Sequence, residues 1–284
     1  MKTFISKIQL GLCVLALLLQ SACVNLKPIR QFADSAVDAA SYTAITSYYV
    51  EGVEHQKNYT PVARQSDLDQ DSLTRQKQEA GLLALHRGIE AYMTAIGSLA
   101  SDEVISYDKS LDRLGKELQD ANFASPSQVE AYKGLASFVA KAATDLYRQA
   151  KLKQLIGEAN APFQDVVGSL KKIVGRGYVQ SLDNETSALN AYYQDIILAS
   201  DRATNAQPAL TELVNETWRT KKTELAARRK ACLAYAETLD QIAKGHQSLY
   251  DHRDKIDAKE TLDTILTYAK ELNDLRAKIK QLNP

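Results

Sequence analysis

Cysteine is scarce in this chain: three occur among 284 residues, at positions 13, 23 and 232. An even set of cysteines in an exported protein would indicate disulfide bonds. Cys13 lies in an N-terminal apolar segment, and Cys23 stands at the end of that segment. If the segment is cleaved off, Cys232 has no cysteine to pair with unless Cys23 remains in the chain with a free thiol. We therefore expect Cys232 to be a small buried side chain rather than a redox or nucleophilic group.

Strand signals and an excess of charge of one sign are also missing. No stretch alternates apolar and polar residues for long, and neither Asn-Gly nor Asp-Gly occurs as a hairpin turn. The chain has 35 basic and 35 acidic residues, and removal of residues 1–22 takes only Lys2 and Lys7, which leaves 33 against 35. Because phosphate binding needs a basic surface, we expect no nucleic-acid partner.

Proline occurs six times, with long proline-free spans in between. Proline is tolerated in the first turn of a helix and disrupts the interior. We therefore expect four prolines to open helices: Pro28, Pro126, Pro162 and Pro208. Ser125 and Gln128 form a capping box around the second of these starts. Asn160 is a suitable capping residue for the third.

Apolar residues recur at steps of three and four through these spans, which is typical of amphipathic helices. One such series is Leu225, Cys232, Tyr235, Leu239, Ile242, His246 and Leu249. The predicted helices cover residues 28–57, 72–99, 107–121, 126–156, 162–200 (with a bend at 175–177), 208–255 and 257–282. The sequence therefore predicts an all-α fold, an elongated antiparallel bundle of long helices with coiled-coil-like packing, over residues 23–284.

The first residues have the pattern of a secretory signal peptide, residues 1–22. Lys2 and Lys7 precede an apolar run from Ile8 to Leu19, and small residues follow. The run is too short for a membrane-spanning helix, which needs about 20 apolar residues, and no later run approaches that length.

The end of this segment, Gln20-Ser21-Ala22-Cys23, resembles the lipobox of bacterial lipoproteins. In that class the signal peptide is cut before the cysteine, so the resemblance implies that Cys23 becomes a lipidated first residue carrying acyl chains such as palmitate. Val24 follows the cysteine in place of aspartate, and the resemblance therefore implies a lipid anchor on the periplasmic side of a Gram-negative outer membrane. Gln20 stands where the family usually has leucine, so cleavage to a soluble periplasmic protein is the alternative.

Two histidine–glutamate pairs have helical spacing, Glu51 with His55 and His86 with Glu90. Di-metal helical bundles use Glu-x-x-His, which is absent here, and the zinc motif His-Glu-x-x-His is absent too. We expect surface pairs rather than a metal site. An envelope enzyme, the other alternative, would need a pocket where His86, Glu90 or His246 converge.

Two charged segments resemble functional sites only in part. Asp67, Asp69 and Asp71 match the first ligands of a calcium loop, but Ser72 and Gln78 stand where glycine and glutamate are needed. The basic stretch from Arg219 to Lys230, next to Trp218, could meet anionic headgroups or glycan phosphates. Acidic residues interrupt this stretch, which favours a solvated helix face. The alanine- and serine-rich face at residues 33–41 is expected to pack in the core rather than dock a protein.

No catalytic, cofactor-binding or metal-binding residue is expected, and Cys23 is the one candidate site residue. The sequence thus favours a membrane-anchored lipoprotein whose helical bundle acts as a structural or protein-interaction module of the cell envelope. Its expected partners are the membrane, through the lipid on Cys23, and an envelope protein. A soluble periplasmic binding or chaperone-like protein and an envelope enzyme are the alternatives.

Overall fold

The computed structural model describes residues 26–101, 110–121, 124–144, 148–202 and 207–282. These residues form nine α-helices and no strand, which confirms the predicted all-α bundle. The helices are α1 (Lys27–Ala40), α2 (Ala44–Lys57), α3 (Ser66–Ala100), α4 (Ser110–Asp120), α5 (Pro126–Thr144), α6 (Arg148–Lys172), α7 (Val179–Asp201), α8 (Pro208–Asp251) and α9 (Lys259–Leu282). Short 3-10 turns lie at Val62–Arg64 and Arg253–Lys255.

Of the helix starts predicted between residues 28 and 208, three are correct and two are wrong, and the start predicted at residue 107 lies outside the described residues. Pro126 and Pro208 begin α5 and α8, and Pro28 lies in the first turn of α1. The predicted helix end at residue 156 and the predicted start at Pro162 are both wrong, because these residues lie inside α6. Asn160 does not cap a helix there; its side chain bonds across to Gln247 of α8, 2.9 Å away. The predicted start at residue 72 is also wrong, since α3 begins at Ser66.

The first predicted helix, residues 28–57, is two helices separated by a turn. Ala40 ends α1, and the backbone N–H of Thr43 donates to the carbonyl of Ser41 at 2.8 Å. The carbonyl of Ala40 lies 2.9 Å from Nδ1 of His86 and accepts from the Tyr235 hydroxyl at 3.2 Å. Two distant side chains therefore take over a carbonyl that a continuous helix would have used internally.

The predicted bend at residues 175–177 lies in a π-helical segment, Ile173–Tyr178, that joins α6 to α7. Such segments insert an extra residue per turn and shift the faces that follow. Two predicted helix boundaries are wrong by a few residues. The helix predicted to end at residue 255 is α8, which ends at Asp251, and the helix predicted to begin at residue 257 is α9, which begins at Lys259.

The core is apolar and closely packed around α1, α3 and α8. Phe32, Tyr92 and Tyr235 are fully buried. The small-residue face of α1 packs in the core, as expected, and lies against α3: a Cβ atom on Gly97 would stand 3.3 Å from that of Ala33. Small side chains allow this close approach of the two helix backbones.

Contacts along α1 fix the direction of its neighbours. Ser35 and Asp38 contact Asn273 and Arg276, so α9 runs parallel to α1. Ala40 contacts Tyr235, and a Cβ atom on Gly245 would reach the ring of Phe32, so α8 runs antiparallel to α1. Leu26, the first described residue, therefore lies at the end of the bundle where α8 finishes. The start of α8, which has 44 residues, lies about 65 Å away along its axis.

Candidate functional site

A helical hairpin projects from the end of the bundle that is far from Leu26. It consists of residues 190–202 around the end of α7 and residues 207–224 around the start of α8, which we call the arm. None of these residues is buried. Leu189 and Leu225, directly below the arm, are buried. The arm therefore begins where the core stops, and its second helix, the 17 residues from Pro208 to Glu224, extends for about 26 Å.

Polar and aromatic contacts hold the two helices of the arm together. The hydroxyls of Ser200 and Thr211 lie 2.9 Å apart near the tip. Further down, the Trp218 indole N–H donates to the side-chain oxygen of Asn190 at 3.0 Å, and its ring stacks against Tyr193 with centroids 6.4 Å apart. These contacts keep a constant register along the hairpin, so the arm is an ordered element without a core of its own.

Large apolar side chains are exposed on the arm. Leu198, Leu210 and Leu213 are 52%, 54% and 63% exposed. Single exposed leucines are ordinary on protein surfaces. Here, however, these three and Tyr192 make up four of the seven large hydrophobic residues that are exposed in the described part of the chain. Clustering of this kind is typical of surfaces that contact another molecule.

An aromatic cluster joins the arm to the end of α2. The ring of Tyr59 lies 5.8 Å from that of Tyr192 and 6.4 Å from that of Tyr193. The Lys222 ammonium group lies 5.0 Å from the centre of the Trp218 ring. The orientation of the arm thus depends on contacts with α2 as well as on the α7–α8 pair.

A buried carboxylate lies just below this cluster. Glu185 of α7 is 4% exposed, and the Tyr48 hydroxyl donates to both of its oxygens at 3.1 Å. The Arg228 guanidinium lies 4.1 Å from the centre of the Tyr48 ring. Burial raises the pKa of Glu185 to about 7, because the charged form loses its hydration, although Tyr48 and Arg228 partly offset this. We call Glu185, Tyr48 and Arg228 the root cluster.

His86 is fully buried in a hydrogen-bond network of the core, so the prediction that it forms a surface pair with Glu90 is wrong. Its Nε2 lies 3.0 Å from the Thr46 hydroxyl, which in turn lies 3.0 Å from the Tyr178 hydroxyl. Its Nδ1 lies 3.0 Å from the Tyr235 hydroxyl. Burial lowers the pKa of His86 to about 4. His86 is therefore neutral at pH 7 and acts as a link between α2, α3 and α8.

His246 has a separate set of partners. Its Nε2 lies 2.7 Å from the Tyr92 hydroxyl and its Nδ1 lies 3.0 Å from the side-chain oxygen of Asn160. Burial lowers its pKa to about 3. His86 and His246 are thus satisfied by different neighbours instead of sharing one polar pocket. Burial raises the pKa of Glu90, which none of these bonds includes.

The other histidines also occupy structural positions. The ring of His55 packs on that of Tyr48, with centroids 4.8 Å apart, and His252 bonds through Nδ1 to the carbonyl of Ser248 at 2.9 Å. Asp67, Asp69 and Asp71 lie on α3 instead of a loop, which does not allow the calcium-loop geometry. Across the residues that the structure covers, no group of three or more histidine, cysteine or acidic side chains is placed to hold a metal ion.

The basic stretch is largely engaged within the molecule. Ion pairs join Arg219 to Glu212 and Glu216, Lys221 to Glu224, and Arg229 to Asp183. This pattern fits the prediction of a solvated helix face.

Sequence reasoning missed Glu185, since a lone glutamate in a helix resembles any surface glutamate. It also missed Arg75, which is 6% exposed and donates to Ser181 and Asp71 at 2.5 and 2.8 Å.

Cys232 is 3% exposed, which confirms its predicted burial, and it is a free cysteine. Burial raises the pKa of its thiol to about 12. Cys23 and the predicted signal peptide lie outside the described residues. Among the helices that are described, none is long and apolar enough to span a bilayer.

No family model, curated protein or solved structure matches this chain.

Proposed function

We propose that this protein is a lipid-anchored module of the bacterial cell envelope that uses its arm to contact an envelope protein. The anchor is the acylated Cys23, on the periplasmic side of the outer membrane, and the helical bundle acts as a rigid spacer. One observation carries the proposal. The exposed leucines lie on an arm at the end of the bundle opposite to Leu26.

The distances support this arrangement. Cys23 precedes Leu26 by three residues, which span at most about 11 Å of extended chain. The anchor therefore stays close to the base of α1, while the start of α8 lies about 65 Å away along the helix axis. A lipid at one end and apolar side chains at the other suit a protein that reaches from a membrane to a partner.

The strength of the anchor also fits. One acyl chain gives only marginal binding to a bilayer, whereas two or more hold a protein stably. The lipoprotein resemblance implies several chains on one cysteine. The alternative is a soluble periplasmic protein with the same arm.

Intact-mass measurement of the mature protein tests the anchor. We expect a chain that begins at Cys23 with the mass of its acyl groups added, and Cys23→Ser to abolish this species. An unmodified chain starting at another residue would reject the anchor and favour the soluble alternative.

Site-specific photo-crosslinking in intact cells tests the arm. A photoreactive residue at Leu213 is expected to give a discrete protein adduct. The matched control is Leu73 of α3, which is also half-exposed at 51% but lies outside the arm. Equal adducts at the two positions, or none at Leu213, would contradict the role of the arm.

A further inference from the structure

The root cluster places an ionisable group where three helices meet below the arm. Glu185 lies on α7, Tyr48 on α2 and Arg228 on α8. The Tyr48 hydroxyl lies 3.1 Å from both carboxylate oxygens, so its single proton is shared between two acceptors. A buried carboxylate normally needs more donors than this to remain charged at little cost.

The surrounding charges only partly compensate for burial. From α8, Arg228 and Lys221 favour the charged carboxylate, and from α2 the Tyr48 hydroxyl does the same. Tyr59, just beyond α2, interacts electrostatically with Glu185, and Glu224 of α8 interacts with Tyr59. His55 packs on Tyr48, and Arg75 of α3 bonds one turn away at Ser181. Loss of hydration is still the largest effect, and it raises the pKa of Glu185 to about 7.

We propose that Glu185 is a proton-operated latch that sets how firmly the arm is held against α2. In its neutral form the carboxyl group fits the closed contact between α2 and α7. Loss of the proton leaves a poorly solvated charge there, so water enters, the contact opens more often and the arm root loosens. Any effect of this latch on partner binding rests on the proposed function, but the latch itself is a property of the isolated protein.

The direction of the pH effect follows from linkage. A carboxyl group whose folded pKa is above its value in the open state stabilises the closed state at low pH. This stabilisation is fully present below about pH 4.5. Between about pH 4.5 and pH 7 the equilibrium constant for closing falls by about tenfold for each pH unit. Above that pH the opening equilibrium becomes constant again.

Hydrogen exchange of the purified protein between pH 5 and 8, corrected for intrinsic exchange rates, tests the latch. For peptides from residues 44–57 and 185–193, we expect protection at pH 8 to be at least about tenfold lower than at pH 5.5. Peptides from α9, which lies away from the root cluster, report on the rest of the bundle. The variant Glu185→Gln is expected to remove the local pH dependence.

Two further variants make the result specific. Glu237→Gln changes an exposed carboxyl group of α8 and is expected to behave as the wild type. Tyr48→Phe removes the donor that favours the charged form, so the transition is expected to move to higher pH. Unchanged protection across the pH range in the wild type, the same pH dependence in Glu185→Gln, or no shift in Tyr48→Phe would each overturn the latch. These measurements use no partner, so they stand apart from the crosslinking test.

Discussion

Gly245 lets α8 approach α1, and replacement by alanine tests how tightly this contact is packed. A Cβ atom at this position would lie 2.5 Å from Cζ of Phe32 and nearer still to another ring atom. Phe32 is fully buried and packs edge-on against Tyr268, with ring centroids 6.5 Å apart. The ring therefore cannot move away without disturbing the core.

The magnitude comes from two opposing effects. Alanine is favoured over glycine inside a helix by about 1 kcal/mol. Overpacking a well-filled core typically costs about 1–3 kcal/mol. A Cβ atom added at Gly168, an exposed glycine of α6, would meet no neighbouring atom within 4 Å, so Gly168→Ala shows the first effect alone. We expect Gly168→Ala to raise the free energy of unfolding by about 0.5–1 kcal/mol. We expect the free energy of unfolding of Gly245→Ala to be about 1–3 kcal/mol lower than that of Gly168→Ala.

Urea unfolding followed by circular dichroism at pH 7.5 measures both variants. A double-mutant cycle with Phe32→Leu, which shortens the side chain, is expected to show a coupling energy of about 1 kcal/mol or more, because the two changes compensate each other. If Gly245→Ala stabilised the protein as much as Gly168→Ala, or if the cycle showed no coupling, the close contact of α8 with α1 would be refuted.

Three other predictions concern buried polar groups. His86 and His246 have folded pKa values below that of free histidine, so their stabilising contribution is full above about pH 6.5 and declines as the pH falls; for His86 the loss amounts to about 3 kcal/mol by pH 4. The test is urea unfolding at pH 7.5 and pH 5 of the variant Glu185→Gln, which lacks the carboxyl group whose pH effect has the opposite sign. We expect a lower free energy of unfolding at pH 5, and equal values at the two pH values would contradict the prediction. Arg75→Met removes charged hydrogen bonds to Ser181 and Asp71 and is expected to cost about 2–3 kcal/mol of unfolding free energy, whereas a neutral result would show that these bonds contribute nothing net. Cys232 is expected not to react with a thiol reagent until the protein is unfolded, and reaction of the native thiol would contradict its burial.

Local patterns predicted the secondary structure well where one signal acted alone. Pro126 and Pro208 open helices because each follows a break in the pattern and precedes a long apolar stripe. Pro162 misled the same reasoning, because α6 continues through it. Polar side chains around it, such as Asn160 and Gln164, bond to α8 and hold this part of the helix in place.

The functional candidates were harder to predict for a related reason. The sequence predicts amphipathic helix at residues 190–200 and 208–224, but it cannot show that none of the described helices buries them. The Glu185 carboxylate is likewise indistinguishable from an exposed one until the fold brings Tyr48 and Arg228 to it. Burial depends on contacts between residues more than 130 positions apart, such as Tyr48 with Glu185.

The sequence by itself determined that this chain is helical, because its apolar residues recur with the period of a helix and strand signals are nearly absent. The tertiary structure decided which helices cover one another. It buried His86, His246 and Glu185, and it left the arm uncovered. The physical reason is that helical periodicity is a property of neighbouring residues, whereas burial and exposure depend on which distant segments fill the space beside them.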